Sequence, residues 1–190
     1  MSATIGYLSL GSNLGDRWQN LGRASAELMK AGVEVVRSSS IYETEPQDFT
    51  AQPAFLNAVL AVKSELLPFP FLELTQGIEA RMGRARSAIP KGPRLIDVDI
   101  LLLGDFIVQD EHLTIPHRHM LNRRFVLEPL VEIAPDLRYP GTGTAIRDFI
   151  ASVSDQWIRR IGGPVEVSSG PSRDYQWELP DLPLKGPTTS

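Results

Sequence analysis

Two acidic residues, Asp97 and Asp99, are separated by a single residue within an apolar segment that spans residues 95–103. This segment predicts a β-strand, in which alternate side chains point to the same face. The two carboxylates would then lie side by side, with their Cβ atoms about 7 Å apart. Carboxylates so placed repel each other unless a cation neutralises them, and Mg²⁺, which prefers oxygen ligands, suits that position. An exposed strand face with two solvated acids is the alternative interpretation.

Basic residues precede the acidic pair, in a segment over residues 83–94 that has neither helical nor strand periodicity. They are Arg84, Arg86, Lys91 and Arg94. Carboxylates that hold a divalent cation beside guanidinium groups that bind phosphate oxygens are suited to a metal–polyphosphate complex. A simpler interpretation, in which Arg94 bridges the two aspartates as a structural ion pair, uses the same residues.

A third polar cluster, formed by His117, Arg118, His119 and Arg123, follows the sequence Thr114-Ile115-Pro116. A zinc site normally combines histidine with cysteine or acidic ligands, and this cluster has few acidic neighbours. Its residues therefore predict contacts with phosphate or with a base rather than ligation of a metal.

Phe55 and Asn57 lie two positions apart in a predicted strand over residues 55–62, and they therefore share a face. An aromatic ring can stack on a planar heterocycle while a neighbouring amide hydrogen-bonds to its edge. The alternative interpretation places Phe55, and likewise Phe125, in the hydrophobic core.

The elements that must position these residues are strands and helices that alternate without a regular βαβ rhythm. Strands are predicted over residues 5–10, 33–42, 55–62 and 95–103, and helices over residues 18–31, 68–82, 125–133 and 145–153. Gly11-Ser12-Asn13-Leu14-Gly15 lacks P-loop spacing and predicts a tight turn, with Asn13 as a helix N-cap. Gly104-Asp105 predicts a β-hairpin. The pattern indicates an α+β sandwich with helices packed on a mainly antiparallel sheet.

The composition of the 190 residues is that of an ordinary globular chain, with a net charge of -4 and no cysteine. The acidic balance argues against nucleic acid as a partner, and disulfides are impossible. Neither a signal peptide nor an apolar run long enough to span a membrane is present, so we expect a cytoplasmic protein. We predict one domain over residues 1–161, followed by a tail over residues 162–190 that is rich in Pro, Gly and Ser.

Several short motifs occur in order along the chain. They are Leu10-Gly11-Ser12-Asn13-Leu14-Gly15-Asp16, Tyr42-Glu43-Thr44-Glu45-Pro46, Phe55-Leu56-Asn57-Ala58, Gly92-Pro93-Arg94-x-x-Asp97-x-Asp99-Ile100, Ile115-Pro116-His117, Arg123-x-Phe125-Val126-Leu127-x-Pro129-Leu130 and Glu132-Ile133-Ala134-Pro135. Together they resemble the 6-hydroxymethyl-7,8-dihydropterin pyrophosphokinase family. Pro90 and Lys91 differ from this family, many members of which carry an aromatic residue before Gly-Pro-Arg.

The resemblance implies a ferredoxin-like α+β sandwich and an ATP-dependent diphosphotransferase. Such an enzyme moves diphosphate from ATP to the hydroxymethyl group of the pterin and releases AMP, in folate biosynthesis. It also implies two Mg²⁺ ions on Asp97 and Asp99. Its partners would be ATP and the pterin, with neither nucleic acid nor membrane, and we expect a monomer.

The resemblance further implies roles for individual residues. Contacts with ATP would come from Gln76, Glu79, Arg84, Arg86, Arg94, Ile100, His117, Arg118 and Arg123. Phe55 and Phe125 would sandwich the pterin, whose remaining neighbours would be Thr44, Glu45, Pro46, Asn57 and Asp97. The catalytic set would be Arg84, Arg86, Arg94, Asp97 and Asp99.

Overall fold

The computed structural model describes residues 3–47, 51–83 and 92–166. Within these ranges the elements are, in order, β1 (Thr4–Ser12), α1 (Arg17–Lys30), β2 (Glu34–Ser38), β3 (Ser40–Thr44), β4 (Phe55–Ser64), α2 (Pro68–Arg81), β5 (Asp97–Leu103), β6 (Val108–Gln109), β7 (Thr114–Ile115), α3 (Arg124–Ile133) and β8 (Ile158–Pro164). A short 3-10 helix, Met120–Asn122, precedes α3. A longer one, Ile146–Val153, stands where an α-helix was predicted. Arg84, Arg86, Pro90 and Lys91 lie outside the described residues.

The larger sheet is antiparallel throughout, with the strand order β5-β1-β4-β3-β8 and with β2 also paired to β4. The predicted class, helices packed on a mainly antiparallel sheet, is confirmed. In the described part of the chain, no helix is both long and apolar enough to cross a membrane.

Apolar side chains at alternate strand positions build a core on each face of the sheet. On one face, Leu56 of β4 packs in a cluster with Phe71 of α2 and with buried leucines of α1. On the other face, Val59 of β4 and Leu101 of β5 pack with Leu130 of α3. In the described part of the chain the sheet is therefore covered on both sides, and the second face is covered by α3 together with the two 3-10 helices.

The N-terminus of α1 is capped by Asp16, whose carboxylate accepts a hydrogen bond of 3.0 Å from a backbone N–H in the first turn. The prediction of Asn13 as the cap is wrong, because β1 continues through Ser12 and the turn into the helix comes later. Asn13 instead exchanges hydrogen bonds with the backbone of Arg94: its N–H donates to the carbonyl oxygen over 3.2 Å, and its side-chain oxygen accepts from the N–H over 2.8 Å.

The single strand predicted over residues 33–42 is two strands, β2 and β3, which both pair with β4. Ser39 separates them. It is fully buried, its N–H donates to the Val59 carbonyl oxygen, and its hydroxyl accepts from the Val59 N–H, each over 2.9 Å. These bonds replace the regular ladder at that point, so the strand is interrupted without leaving its partner.

The hairpin predicted at residues 104–105 is wrong, although the chain does turn there. β6 pairs with β7 in a separate two-stranded sheet and not with β5. The outer edge of β5 is engaged elsewhere, because the Glu79 carboxylate accepts from the Val98 N–H and the His117 N–H donates to the Leu101 carbonyl oxygen.

The last described strand, β8, pairs with β3 and continues to Pro164. The boundary predicted at residue 162 therefore falls inside this strand. Trp18 of α1 covers Gly162 so closely that any side chain at this position would collide with the indole ring. Residues 162–164 thus belong to the sheet, and residues 167–190 of the predicted tail lie outside the described residues.

Candidate active site

The sheet face that packs on α3 changes character along its strands. Val59 and Leu101 are buried under α3. Toward the N-terminus of α3, the same face carries small, aromatic and acidic residues: Ser9 and Gly11 from β1, Phe55 and Asn57 from β4, and Asp97 and Asp99 from β5. α3 and the two 3-10 helices thus cover half of this face and leave the other half as a site.

Gly11 lies at the centre of this polar half, paired with Asn57 on one side and with Asp97 on the other. A Cβ atom at this position would lie 3.1 Å from the Asn57 side-chain oxygen and 3.7 Å from the ring of Phe55. Glycine in the interior of a strand often marks such a close approach. Gly11 therefore forms the floor of a cleft, and the prediction that it belongs to a turn is wrong.

We call this cleft the inner cleft. Its volume is about 220 Å³. It is lined by Ser9, Gly11, Thr44, Glu45, Pro46, Gln47, Gln52, Phe55, Asn57, Arg94, Asp97, Asp99, His117, Arg123 and Phe125. Three separate predicted groups, the acidic pair, the cationic side chains and the aromatic pair, thus meet in one place.

Arg94 connects the acidic and aromatic sides of the inner cleft. Its Nη1 donates to Asp97 Oδ2 over 3.0 Å, and its guanidinium lies over the Phe55 ring, 5.6 Å from the ring centroid. Asn13 hydrogen-bonds to the Arg94 backbone, and its side-chain amide also donates to the carbonyl oxygen of Pro53 over 3.1 Å. The structural interpretation predicted an ion pair of Arg94 with both aspartates. The ion pair is present, but it joins Arg94 to Asp97, and Asp99 has other neighbours.

Asp99 lies beside Arg123 and His117, at 3.6 Å from Nη1 and 3.9 Å from Nε2 respectively. Burial lowers the pKa of His117 to about 4, and the positive charge of Arg123 acts in the same direction. The imidazole is therefore neutral near pH 7. Its Nδ1 accepts a hydrogen bond of 3.3 Å from the His119 N–H, so the proton is assigned to Nε2, which faces Asp99.

Asp97 and Asp99 can bind Mg²⁺ only if another molecule supplies further oxygen ligands. The part of the chain that the structure describes has no cluster of three or more His, Cys, Asp or Glu side chains able to hold a metal. Asp97 and Asp99 offer hard carboxylate oxygens, and both side chains are partly exposed. Mg²⁺ prefers six oxygen ligands and is commonly held by one or two carboxylates together with substrate phosphates.

A second cleft, the outer cleft, lies along the outer edge of β5 and shares Asp99 and His117 with the inner cleft. Its volume is about 270 Å³. It is lined by Leu72, Thr75, Gln76, Glu79, Val98, Asp99, Ile100, His112, Leu113, Thr114, His117 and Arg118. Five of the residues predicted to contact ATP are in this set: Gln76, Glu79, Ile100, His117 and Arg118.

The residues of the outer cleft differ in how they are held. Gln76 is exposed, and Arg118 donates to the Thr114 hydroxyl over 3.1 Å. Glu79 is only 6% exposed, and its carboxylate accepts from the Val98 N–H over 2.8 Å. Since Val98 stands between the two aspartates, Glu79 fixes the strand that carries them, a role that sequence reasoning did not assign.

Phe55 and Phe125 both line the inner cleft and are half-buried. Thr44 is paired with Phe55 across the β3–β4 ladder, and its hydroxyl accepts from the Asn57 amide over 2.7 Å. The guanidinium of Arg123 lies over the Phe125 ring, 5.5 Å from the ring centroid. The aromatic pair is therefore available to a ligand, and the interpretation that places it wholly in the core does not hold.

Sequence reasoning missed some residues of the inner cleft and named others that the structure does not describe. Gly11 could have been found, because it falls on the same strand face as its polar neighbours. Gln47 and Gln52 gave no signal, since their positions depend on how the intervening loop folds. Arg84 and Arg86 lie outside the described residues.

Comparison with known proteins supports the family resemblance that the motifs indicated. The model of the family described as 7,8-dihydro-6-hydroxymethylpterin-pyrophosphokinase matches residues 7–135. A protein from Methylorubrum extorquens named 2-amino-4-hydroxy-6-hydroxymethyldihydropteridine pyrophosphokinase is 43% identical over 159 residues, which cover 83% of this chain and 99% of the relative. The folic acid synthesis protein fol1 of Schizosaccharomyces pombe is 41% identical over 156 residues, which cover 82% of this chain and 21% of the relative.

The chain thus spans about a fifth of the fungal relative and nearly the whole of the bacterial one. Among solved structures, one titled as HPPK-DHPS in complex with substrates has a TM-score of 0.65 at 15% identity. That match covers 82% of this chain and 44% of the solved chain. At this level of identity the likeness concerns the fold.

Proposed function

The chain belongs to the 7,8-dihydro-6-hydroxymethylpterin-pyrophosphokinase family, and from that premise we propose its reaction. It transfers a diphosphate group from ATP to the hydroxymethyl group of 6-hydroxymethyl-7,8-dihydropterin and releases AMP, a step of folate biosynthesis. The observation that carries the proposal is the position of Asp99 and His117, which line both clefts. Two substrates that filled the two clefts would meet at this pair.

The pterin occupies the inner cleft in this proposal. Phe55 and Phe125 contact the two faces of its ring, and the edge of the ring meets Asn57 and Thr44. The Asn57 amide already donates to the Thr44 hydroxyl, so its side-chain oxygen, next to Gly11, remains to accept from an N–H of the ligand. Glu45 and Pro46 close the same side of the cleft.

ATP occupies the outer cleft, and its phosphates extend along β5 toward the inner cleft. Gln76, Ile100 and Arg118 contact the nucleotide in this proposal. Arg94, Arg123 and the neutral His117 donate hydrogen bonds to phosphate oxygens, with Arg84 and Arg86 as further proposed contacts. Guanidinium groups suit this task because they are always charged and bind oxygens in pairs.

Asp97 and Asp99 would hold two Mg²⁺ ions, which when bound neutralise the negative charge of the phosphates. The fit rests on the donor chemistry of the pair, two partly exposed carboxylates on one strand face. Arg94 and Arg123, which neutralise these carboxylates in the protein alone, would then be released toward the phosphate oxygens. The acidic pair and the cations thus exchange partners when the substrates bind.

In the transfer itself, the hydroxymethyl oxygen attacks the β-phosphorus of ATP. The bond from that phosphorus to the oxygen bridging the α-phosphate breaks, AMP departs with that oxygen, and the hydroxyl loses its proton. Phosphoryl-type transfer depends on alignment and charge neutralisation more than on covalent help from the protein. The chain supplies alignment through its aromatic pair, and neutralisation through Arg94 and Arg123. Asp97, which lines the inner cleft, is the proposed acceptor of the proton.

We further propose that the fold is ferredoxin-like. The segment from β1 to β5 has the order strand, helix, strands, strand, helix, strand, and the spatial order β5-β1-β4 followed by β2 and β3 supports this assignment. We also propose a monomer that acts in the cytoplasm, where a chain without cysteine needs no oxidising environment.

The reaction is tested by measuring AMP with Mg²⁺–ATP in the presence and absence of the pterin. We expect AMP to form only with the pterin, in equal amount to the pterin diphosphate. Inorganic phosphate or diphosphate released without a pterin would indicate a hydrolase and contradict the proposal. Calorimetric titration of Mg²⁺–ATP and then the pterin would show whether both bind to the same protein molecule. We expect both to bind, because the two clefts are adjacent and share Asp99 and His117.

A further inference from the structure

We propose that Gln156 is a positioning residue for Arg123 and Phe125, an inference that rests on the proposed function of the inner cleft. Gln156 follows the longer 3-10 helix and lies beyond residues 7–135, the part that the family model matches. Its side chain reaches the N-terminus of α3, where the two cleft residues are located. The side-chain amide of Gln156 forms hydrogen bonds there that support this proposal.

The Gln156 amide binds the backbone on both sides of Arg123. Its Oε1 accepts from the Arg124 N–H over 2.9 Å, and its Nε2 donates to the Asn122 carbonyl oxygen, also over 2.9 Å. A backbone N–H can only donate and a carbonyl oxygen can only accept, so the orientation of the amide is determined by its partners. The peptide groups that flank Arg123 are thus held by a single rigid group.

The N-terminus of α3 needs this help, because the residue before the helix supplies no side-chain cap. Arg123 stands there in an extended conformation, with φ at -126° and ψ at 107°. The first N–H groups of a helix have no partner within the helix. Gln156 satisfies the first of them, and the Arg123 side chain is left to approach Asp99 at 3.6 Å and to cover the ring of Phe125.

Gln156 is itself anchored at both ends. Arg124 Nη1 donates to the carbonyl oxygens of Ser154 and Gln156 over 2.9 and 3.0 Å, and Glu128 fixes the same guanidinium at 2.9 Å. On the other side, the Gln47 amide donates to Gln156 Oε1. Since Gln47 lines the inner cleft, one side chain connects the C-terminal segment, the start of α3 and a residue of the cleft wall.

Loss of this amide would release Arg123 and Phe125 together. A displacement of about 1 Å in a group that orients a substrate can cost up to about 100-fold in rate. We therefore expect Gln156→Met, which keeps the length of the side chain but none of its hydrogen bonds, to lower kcat/KM at least about tenfold. In Gln156→Glu, which can still accept from the Arg124 N–H, we expect a smaller loss.

The experiment is a double-mutant cycle of Gln156→Met with Arg123→Ala, measured as AMP release well below the unfolding temperature. The control is Ser152→Ala, which removes a hydroxyl that bonds only within the neighbouring 3-10 helix. We expect the control to retain kcat/KM within about twofold. We expect the effect of Gln156→Met to shrink when Arg123 is already absent, to the part that acts through Phe125, because residues that act as a unit are not additive.

An undiminished effect of Gln156→Met in the Arg123→Ala background would overturn the inference, and so would wild-type kcat/KM in Gln156→Met. Hydrogen exchange gives a second test that needs no activity. The Arg124 amide should exchange at least about tenfold faster in Gln156→Met than in the wild type or Ser152→Ala. An unchanged rate would contradict the proposal that Gln156 holds the backbone around Arg123. Failure of the wild type to release AMP with the pterin would instead contradict the proposed function, and the exchange result would still decide whether Gln156 holds the backbone around Arg123.

Discussion

At the scale of single residues, the site consists of charges that are already paired before a substrate arrives. Asp97 is paired with Arg94, and Asp99 lies beside Arg123 and a neutral His117. In the proposed reaction, metal and phosphate replace these internal partners, so the acidic and basic side chains exchange partners within the site. Groups held in the site before the reaction can stabilise charge that develops during it.

The first prediction concerns the acidic pair. Asp97→Ala and Asp99→Ala should each lower kcat by roughly 10³-fold or more, because each removes a proposed ligand for the neutralising metal. Both side chains are partly exposed, so the change in unfolding temperature should be small. The control is Asp136→Ala, whose side chain is 93% exposed and pairs with Arg147 on the surface. Near wild-type kcat in both variants would rule out the two-carboxylate metal site.

The second prediction concerns the pH dependence of stability in the protein without substrate or metal. His117 has a pKa of about 4 when folded against 6.5 ordinarily. Between these values the unfolded chain binds a proton that the folded chain does not, so the free energy of unfolding should fall as pH falls from about 6.5 to 4. The full contribution is at most about 3 kcal/mol.

This second prediction is checked by urea unfolding at pH 7 and pH 5 in the presence of a chelator. His117→Gln should lose less stability between the two pH values than the wild type does. Equal losses in the two proteins would show that His117 titrates normally. Glu27 and Glu43, whose pKa values are lowered by hydrogen bonds to Lys30 and Arg159 respectively, act at lower pH and in both proteins alike.

At the scale of elements, the site depends on two strands and on what lies along their edges. β5 carries the acidic pair, and its outer edge is held by Glu79 at Val98 and by His117 at Leu101. β1 lies between β5 and β4, and it passes under the inner cleft at Gly11. The acidic residues and the residues proposed to bind the pterin are adjacent because this central strand carries Gly11, which has no side chain, between them.

The third prediction follows from that glycine. Gly11→Ala should lower the affinity for the pterin about tenfold while changing ATP affinity little, since the added Cβ would press on the Asn57 oxygen at 3.1 Å. The matched control is Gly163→Ala in β8, where a Cβ would have no neighbour within 4 Å. Binding of each ligand is measured by calorimetry. An equal loss of both ligands would indicate a distorted sheet rather than a narrowed cleft.

At the scale of the whole molecule, the site is built from segments far apart in sequence, and a C-terminal segment extends the sheet that carries it. β8 extends the sheet beyond β3, and α1 reaches over it through Trp18 at Gly162. The segment that precedes β8 carries Gln156. The described chain after residue 135 is therefore part of the folded unit, and through Gln156 it is proposed to position residues of the active site.

The fourth prediction tests where that unit ends. A chain ending at residue 166 should unfold at a temperature at least about 3 °C higher than one ending at residue 161. The shorter chain loses the pairing of Gly162 with Ile41 and of Pro164 with Ser40, and it loses the hydrogen bond from the Val165 N–H to Ser38, of 3.0 Å. Thermal unfolding followed by circular dichroism measures the difference. Equal midpoints of thermal unfolding in the two chains would support the boundary that the sequence predicted at residue 162.

The sequence by itself determined most elements, the class of the fold and the family, and it predicted the chemistry of the site. Period-two alternation is local, so it was enough to predict that Asp97 and Asp99 share a face, and helical spacing was enough for α1, α2 and α3. Only the tertiary structure decided the features that depend on contacts between residues far apart in sequence. Examples are the break at Ser39, the place of Gly11 between Asn57 and Asp97, and the contacts of Gln156 with α3. Such contacts join residues tens of positions apart, and no local pattern encodes them, because each depends on where the rest of the sheet has placed its partner.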